Sequence, residues 1–544
     1  MGNLIRVVLV FYSMRLVVAI VASTDVEKSS SLACSSNYST GIVVIYPQHK
    51  RMIPSSLALL FLLLLLAKET KCSLRHQKLH EFRSKLQEKN SFNEIALPPT
   101  PSPARSNTQK RSGRVLYPIG YGADPTGAQD SGDAIVKSVG DAFKVQNSLE
   151  LLPGVPDLGG VIIDLQGGNY NISNPIRFPA GAGNVLVRGG TLRASETFPG
   201  ERHLIELWSP NSQKLERTAT VHQDNLFDSK YQSDGIYYED ITFQDILFDS
   251  NYRGGGLFVI DSARIRVNNC FFIHFTTDGI LVERGHETFI SSCFLGQHST
   301  VGADKGEKDF SGTGIDLASN DNAITDVVIF SAATGVILRG QANIVTGVHS
   351  YNKATYFGGI GILVKAAQNR IANCYLDFNA IVIEDPAQVH VTNGYFLGDG
   401  NIVLKSIKGQ ISGLNIVNNM FCGNPKNMVP IVELDGQFTT IDQVVIDQNN
   451  VNGMSLRSTV GELTVAGNGT QWVADFSSVL MFPNRINHVR YSFYTQGGLV
   501  GFPASAVTNV SNNVVIVESE KAVNGVVSIV VDQHNMVGER NFLM

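Results

Sequence analysis

The sequence predicts an all-β protein, a right-handed single-stranded parallel β-helix (a solenoid) with an N-terminal capping helix. Three observations predict this fold: an apolar pattern that repeats about every twenty residues, 51 glycines in 544 residues, and only 17% charged residues. Average proteins contain roughly 7% glycine and about 25% charged residues, so this chain is rich in turns and poor in charge. Its 43% apolar residues suffice for a large core and exclude a disordered chain.

The first 113 residues indicate targeting and a linker. Residues 57–67 (LALLFLLLLLA) form an apolar run behind a short basic stretch, which is typical of a secretory signal. The run is shorter than the roughly 20 residues that span a bilayer. We therefore interpret Met52 as the working start, 1–51 as an upstream extension of the gene model, 52–72 as a signal peptide and 73–113 as a charged, proline-rich linker.

The body of the chain, from Arg264 onward, carries the repeat. Short strands of the type Gly-Ile-Leu-Val begin at residues 279, 314, 335, 361, 380 and 401, and each is accompanied by a second apolar strand. Short strands at a period near twenty, without helical spacing, predict the coils of a parallel β-helix. We assign 114–430 to the β-helix catalytic domain and 431–544 to the last coils and a C-terminal β cap.

The start of the domain predicts the capping helix. A short strand at 115–117 leads through a glycine turn to Asp130 and Ser131, which are N-cap candidates for a helix over 133–143. A helix at this point can cover the open apolar end of the first coil.

Two stretches resemble known families. The segment from Tyr121 to Ile135 (YGADPTGAQDSGDAI) and the following coils resemble the pectate-lyase-like (pectin lyase fold) superfamily. From Tyr237 to Leu404 the chain is similar to the plant QUARTET-type polygalacturonases, in the stretches YYEDITFQDILFDSNYRGGG, GHETFISSCFLGQHSTVG, SGTGIDLASNDNAITDVVIFSA and YNKATYFGGIGILVK. The resemblance covers about 114–530. It implies a glycoside hydrolase that cleaves the α-1,4-galacturonan of pectin in the cell wall by direct attack of water, without a cofactor.

The wider hydrolase family has four motifs on four successive coils, and this chain keeps only part of them. The Asn-Thr-Asp motif falls at 276–279, where Asp278 remains. The Asp-Asp motif falls at 312–313 and the Gly-His-Gly motif at 333–335, and neither keeps its functional side chains. The Arg-Ile-Lys motif falls at 363–365 and keeps Lys365. The standard catalytic set therefore does not transfer to this chain.

Candidate catalytic carboxylates follow from the strand alternation. Outward positions of successive coils give the column Leu281, Asp316, Ile337, Leu363, Val382, Val403, in which Asp316 is the one polar residue. A carboxylate among apolar neighbours should have a raised pKa, which suits a general acid. We assign Asp316 as the acid and Asp278, one coil earlier, as the base, although the two roles are interchangeable at this stage. The alternatives are a turn residue for Asp278, a solvated strand residue for Asp316, and catalytic roles for Asp304 and Asp309 in the inserted segment 296–312.

Basic side chains near these carboxylates are candidates for binding the carboxylates of the substrate. The next outward column carries three of them, and a solvated mixed-charge face is the alternative for all: Arg339, Lys365 and Lys405. Histidines that are candidate proton or hydroxyl partners, although a structural role is equally open for each, are His286, His298 and His349.

Other residues bear on compartment and cofactors. Glycosylation acceptor sequences, which fit secretion, begin at Asn171, Asn468 and Asn509. No Cys/His spacing matches a metal site. The stacked geometry of neighbouring coils is poor for a disulfide, so we favour buried thiols for Cys270, Cys293 and Cys374 and leave the state of Cys422 open.

The sequence thus predicts a secreted, monomeric cell-wall enzyme that acts on pectic polysaccharide (homogalacturonan) with two carboxylates. The net charge of −5 argues against nucleic acid as a partner, and no membrane segment is expected after signal removal. Two alternatives stay open: a pectate or rhamnogalacturonan lyase on the same fold, and a non-catalytic β-helix protein that binds wall polysaccharide.

Overall fold

The structure is a computed structural model that describes residues 5–12, 15–22, 111–145, 149–208, 235–296, 312–351, 359–497 and 501–535. The chain divides into two compact units, Met1–Ala104 and Arg105–Met544. In the first unit, strands β1 (Ile5–Tyr12) and β2 (Arg15–Ala22) pair antiparallel. The predicted signal peptide at 52–72 and most of the linker at 73–113 lie outside the described residues.

The second unit begins with the elements that close the start of the coil. In chain order these are β3 (Arg111–Ser112), β4 (Val115–Leu116), a 3-10 helix (Pro118–Tyr121), α1 (Gly132–Ala142), β5 (Glu150–Leu152), β6 (Val155–Asp164), β7 (Asn169–Ile172), β8 (Ile176–Phe178), β9 (Ala182–Ala194) and β10 (His203–Leu207).

Helix α1 is the predicted cap. The carboxylate of Asp130 accepts a hydrogen bond from the Gly132 N–H at 3.0 Å and thereby satisfies a free donor at the first turn. The helix buries Ile135 and Val139 and packs against β6, β7 and β8. It covers the apolar end of the first coils, as the sequence predicts.

Twenty-five strands follow as the coils of the helix. They are β11 (Tyr238–Asp249), β12 (Gly255–Ala263), β13 (Arg266–Asn268), β14 (Phe271–Ile273), β15 (Asp278–His286), β16 (Phe289–Ser291), β17 (Phe294–Gly296), β18 (Thr313–Asn320), β19 (Ala323–Thr325), β20 (Val328–Phe330), β21 (Thr334–Leu338), β22 (Ile344–Thr346), β23 (His349–Tyr351), β24 (Ile360–Val364), β25 (Arg370–Ala372), β26 (Tyr375–Asp377), β27 (Ala380–Glu384), β28 (Ala387–Thr392), β29 (Tyr395–Leu397), β30 (Ile402–Lys405), β31 (Gln410–Val417), β32 (Met420–Cys422), β33 (Val432–Asp435), β34 (Thr440–Asp447) and β35 (Asn450–Asn452).

These strands form three parallel faces that run along the coil axis. Sheet A contains β8, β10, β12, β15, β18, β21, β24, β27, β30 and β33. Sheet B contains β13, β16, β19, β22, β25, β28, β31 and β34, and sheet C contains β14, β17, β20, β23, β26, β29, β32 and β35. Strand β11 contributes to sheets B and C. The predicted parallel β-helix is confirmed.

The glycine at the start of the sheet A strands is required by close packing of the coils. A Cβ atom added to Gly279 would lie 2.6 Å from the carbonyl oxygen of Gly314, and one added to Gly314 would lie 2.6 Å from that of Gly335. Contacts that short are not tolerated by real side chains. The repeated glycine in the sequence is therefore the signature of coils that stack backbone on backbone.

The interior of the coil is apolar, and asparagine side chains form hydrogen bonds with backbone groups of its turns. Side chains such as Ile280, Val282 and Ile315 are fully or almost fully buried in one continuous core. Between sheets A and B, the side-chain oxygen of Asn343 accepts a hydrogen bond from the Asn322 N–H at 3.0 Å, and both residues are buried. This ladder pairs backbone groups that the turn would otherwise leave unsatisfied.

The chain ends in an antiparallel sheet with a core of its own. Strands β36 (Val460–Asp475), β37 (His488–Thr495), β38 (Ser505–Ser511) and β39 (Val514–Asp532) form it, with β39 pairing with each of the other three. Trp472 is buried among aliphatic side chains of this sheet. The turns before β36 are hydrogen-bonded to the last coils: the Ser455 N–H donates to the Val429 carbonyl at 2.9 Å.

Candidate active site

The two predicted catalytic carboxylates lie on neighbouring strands of sheet A. Asp278 pairs with Thr313 and Leu281 pairs with Asp316, so the two aspartates are offset by one coil and three residues. With about 3.3 Å per residue and about 4.8 Å between strands, their backbones are about 11 Å apart. The side chains of Ile280 and Val282 point inward, as the alternation predicts.

The column of Asp316 (the Asp316 column) is present as a ladder of register partners. Leu281, Asp316, Ile337, Leu363, Val382 and Val403 pair in succession. The side chain of Asp316 is nevertheless not solvated, since the residue is only 7% exposed. The description of a lone carboxylate also needs a correction, because Nε and Nη2 of Arg339 each donate a hydrogen bond of 2.8 Å to its two oxygens.

The electrostatic environment of Asp316 favours its protonated form. Burial raises the pKa of Asp316 to about 6, against the lowering effect of Arg339, while the nearby charges of Asp278 and Glu283 raise it further. Removing the carboxylate from water disfavours the charged form by more than the ion pair favours it. Asp316 thus has the raised pKa that the sequence predicts, with burial as the main cause.

Glu283 is a third carboxylate at this site, and the sequence reasoning did not select it. It lies on the same side of β15 as Leu281, two residues further along the strand. Leu281 is the register partner of Asp316 on the neighbouring strand. Burial raises its pKa, Arg339 and Arg284 lower it, and Asp278 raises it again. Strand alternation alone, applied to β15, would have found it.

His203 also lies at this site, although the sequence did not indicate it as a candidate. It is 6% exposed, and its Nε2 atom lies 3.8 Å from Oδ2 of Asp278. The ring stacks on Phe258 with centroids 5.6 Å apart, and its buried Nε2 has no hydrogen-bond partner within the protein. His203 lies on β10, ahead of the clear repeat, and it reaches the site because it shares a register position with Gly255 and Asp278.

The predicted basic residues continue from this point along sheet A. Arg339, Lys365 and Lys405 each follow or end a strand of the sheet, and side-chain exposures of 30%, 40% and 42% leave them accessible to solvent. Lys365 and Lys405 face the same carboxylate, Glu384, at 3.8 Å and 3.4 Å. This column (the Glu283 column: Glu283, Ala318, Arg339, Lys365, Glu384 and Lys405) carries charges of both signs beside the Asp316 column, whose other members are apolar.

Of the other candidates, the structure describes His286 and His349, and their ring contacts are with residues other than Asp278 and Asp316. His286 ends β15 with its ring nitrogen 3.4 Å from Glu287. His349 belongs to sheet C, where its ring packs against Phe330 and Tyr375, so it lies on a different face of the coil from Asp316. The remaining candidates lie outside the described residues: Asp304, Asp309 and His298.

The thiols and glycosylation acceptors take ordinary structural positions. Cys270, Cys293 and Cys374 are buried and Cys422 is partly buried, and all four are free thiols. The acceptors Asn468 and Asn509 are exposed on the C-terminal sheet, whereas Asn171 is half-buried in β7.

Within the described ranges, no three carboxylate, imidazole or thiol groups converge to form a metal site. The described part of the chain also contains no helix long and apolar enough to cross a bilayer.

Comparison with known proteins agrees with this picture. Glycosidases use a pair of carboxyl groups that flank the scissile bond, and Asp316 and Asp278 lie one coil apart on sheet A. The chain is 49% identical over 449 residues to polygalacturonase QRT3 of Arabidopsis thaliana, which covers 81% of this chain and 87% of the relative. The chain therefore belongs to the plant QUARTET-type polygalacturonase family and is a glycoside hydrolase.

More distant similarities concern solved structures. A tailspike protein of E. coli bacteriophage HK620 aligns with 10% identity and a TM-score of 0.42 over 78% of this chain and 94% of its own. The tailspike protein of Pseudomonas phage LKA1 aligns with 11% identity and a TM-score of 0.37 over 77% and 99%. No family model matches the chain.

Proposed function

We propose that the protein is a secreted polygalacturonase that hydrolyses α-1,4-galacturonan with inversion at the anomeric carbon. One observation carries the proposal: Asp316, whose pKa is raised to about 6, lies one coil from Asp278 on the outer side of sheet A. Inverting glycosidases need two carboxyl groups about 6.5–9.5 Å apart. Backbones about 11 Å apart are compatible with that separation of the carboxyl groups.

In this mechanism Asp316 is the general acid. Its carboxyl proton moves to the glycosidic oxygen while the bond between that oxygen and the anomeric carbon breaks. Asp278 is the general base, and it removes a proton from the water that attacks the anomeric carbon from the opposite side. Solvent then returns a proton to Asp316 and takes one from Asp278, so that each turnover consumes one water molecule.

The neighbouring residues adjust the two carboxylates and hold the substrate. His203, beside Asp278, positions the base, and Glu283 helps to keep Asp316 protonated. Lys365 and Lys405 attract the carboxylates of the galacturonan chain, and Arg339 does so with the N–H groups that it does not donate to Asp316. The apolar run at 57–67 directs the protein out of the cell.

The test is an assay of the secreted protein with polygalacturonate, in which reducing ends, unsaturated products and the anomer first formed are all measured. We expect reducing ends of inverted configuration without unsaturation. Asp316→Asn and Asp278→Asn should each lower kcat by about 10²–10⁴-fold. The matched control is Asp435→Asn, an exposed aspartate that ends β33 of the same sheet, which should keep full activity.

Other outcomes would contradict the proposal in distinct ways. Unsaturated product indicates a lyase, and retention at the anomeric carbon rules out direct attack by water. Full activity in Asp316→Asn removes the proposed acid. Binding of polygalacturonate without any turnover indicates a non-catalytic wall protein.

A further inference from the structure

His203 carries a buried polar atom that its protein surroundings leave unpaired. The residue is 6% exposed, and within the part of the chain that the structure describes its Nε2 atom has no hydrogen-bond partner. Leaving a buried donor or acceptor unpaired destabilises a protein, and most such groups are paired. Nε2 lies 3.8 Å from Oδ2 of Asp278, the proposed base. An unpaired atom at this place indicates a role in the reaction rather than in the fold.

Two contacts fix the position of the His203 ring. The backbone N–H of His203 donates to Oε1 of Glu206 at 3.3 Å, and Nε of Arg202 donates to the same oxygen at 2.8 Å. The ring itself stacks on Phe258, with centroids 5.6 Å apart and the planes inclined by 27°. A side chain held at its backbone and across one face has few rotamers left, so Nε2 keeps its direction toward Asp278.

Gly255 lets the ring reach the carboxylate. His203 pairs with Gly255 on the next strand, and a Cβ atom on Gly255 would lie 2.4 Å from the carbonyl oxygen of Asp278. The three residues therefore follow one another on successive coils, with about 10 Å between the first and last backbones. A Cβ atom on Gly255 would also lie 2.7 Å from Nε2, so a larger residue there would compete with the ring for the same space.

The separation of the two side chains suits a water molecule that contacts both. At 3.8 Å the atoms are too far apart for a direct hydrogen bond, which needs about 2.7–3.2 Å, whereas a water about 2.8 Å from each can bond to both. The side chain of Asp278 is 20% exposed, so solvent reaches it. When the imidazole proton is on Nδ1, Nε2 accepts one hydrogen of this water and Asp278 accepts the other. Both lone pairs of the water oxygen are then available for attack.

We propose that His203 is a third catalytic residue, which holds the attacking water together with Asp278. The inference rests on the proposed function and deepens it, because His203 lies on β10, outside the four motif positions. In the reaction the water oxygen bonds to the anomeric carbon, one water proton passes to Asp278, and the glycosidic oxygen leaves with the proton of Asp316. The second hydrogen stays on the new hydroxyl group, so His203 orients the water and keeps its own protonation state.

The experiment measures kcat, KM and Tm for His203→Phe and His203→Gln, with polygalacturonate as the substrate. Phenylalanine keeps a ring against Phe258 and removes both nitrogens, whereas the glutamine amide can again contact the water. We expect kcat to fall about 10–100-fold in His203→Phe and to recover to within about fivefold of wild type in His203→Gln, with KM unchanged in both. The Tm of His203→Phe should equal or exceed that of the wild type, because an unpaired buried polar atom is removed. The matched control is His390→Phe, a half-buried histidine on sheet B, which should keep its kcat.

A double variant separates a shared water from a structural effect. In the Asp278→Asn background, His203→Phe should lower kcat by less than about twofold, because residues that act on the same group are not additive. Unchanged kcat in His203→Phe, glutamine no better than phenylalanine, or a full additional loss in the Asp278→Asn background would each overturn the role of His203 and leave the proposed hydrolase in place. A wild-type protein that does not hydrolyse polygalacturonate would overturn the proposed function and this role with it.

Discussion

Replacing Arg339 with glutamine tests whether Asp316 is the general acid or the general base of the candidate active site. Its guanidinium donates two hydrogen bonds of 2.8 Å to Asp316 and lowers the pKa of that carboxyl, which burial raises. An opposite charge at this range lowers a carboxyl pKa by about 1–3 units. Because the Arg339 side chain is 30% exposed, solvent weakens the interaction, and its loss should raise the pKa of Asp316 by about 1–2 units.

The assay is the pH dependence of kcat/KM, which reports the ionisations of the free enzyme. If Asp316 is the acid, activity falls as Asp316 loses its proton near pH 6, and Arg339→Gln should move this alkaline limb upward by about 1–2 pH units. A shift of the acidic limb instead would make Asp316 the base, and unchanged limbs would refute the electrostatic reasoning. Lys365→Gln is the control, since Lys365 faces Glu384 rather than Asp316, and it should move neither limb.

Two further predictions concern stability. Phe272 is fully buried and its neighbour Phe271 is 45% exposed, so Phe272→Ala should lower the free energy of unfolding by about 3–5 kcal/mol and Phe271→Ala by less than about 1 kcal/mol. Urea denaturation measures both, and similar losses would contradict the inward and outward assignment of β14. The raised pKa of Asp316, from 3.8 to about 6, means that folding favours its protonated form; the stabilisation is complete below pH 3.8 and is lost as the pH rises through 6. Relative to Asp316→Asn, the wild-type protein should lose about 2 kcal/mol of stability between pH 4 and pH 7, and a difference that stays constant with pH would refute the shift.

The sequence sufficed for the coil because each coil repeats the same physical constraints. Gly279 and Gly314 meet the carbonyl of the next coil, and alternation sends Ile280 inward and Leu281 outward. Such local rules act at a fixed spacing, so they are visible in the sequence as a period. The same period predicts the offset of three register positions between Asp278 and Asp316 on neighbouring strands.

Contacts between distant parts of the chain were not predictable in this way. His203 reaches Asp278 from 75 residues earlier in the sequence, and no repeat connects the two. The antiparallel sheet pairs Val460 with Asp532, which is a long-range pairing without a periodic signature. Arg339 and Asp316 were each assigned to a column, but whether an arginine turns toward a carboxylate on the previous coil depends on its rotamer.

The site also shows how an outward-facing residue becomes desolvated in a β-helix. Asp316 points away from the core, yet Leu281 and Ile337 flank it on adjacent coils of its column, and it is 7% exposed. Stacking at about 4.8 Å brings these apolar side chains against the carboxylate, so burial is achieved without placing a charge in the core. This arrangement explains why a carboxyl on the outer side of the coil can have a raised pKa.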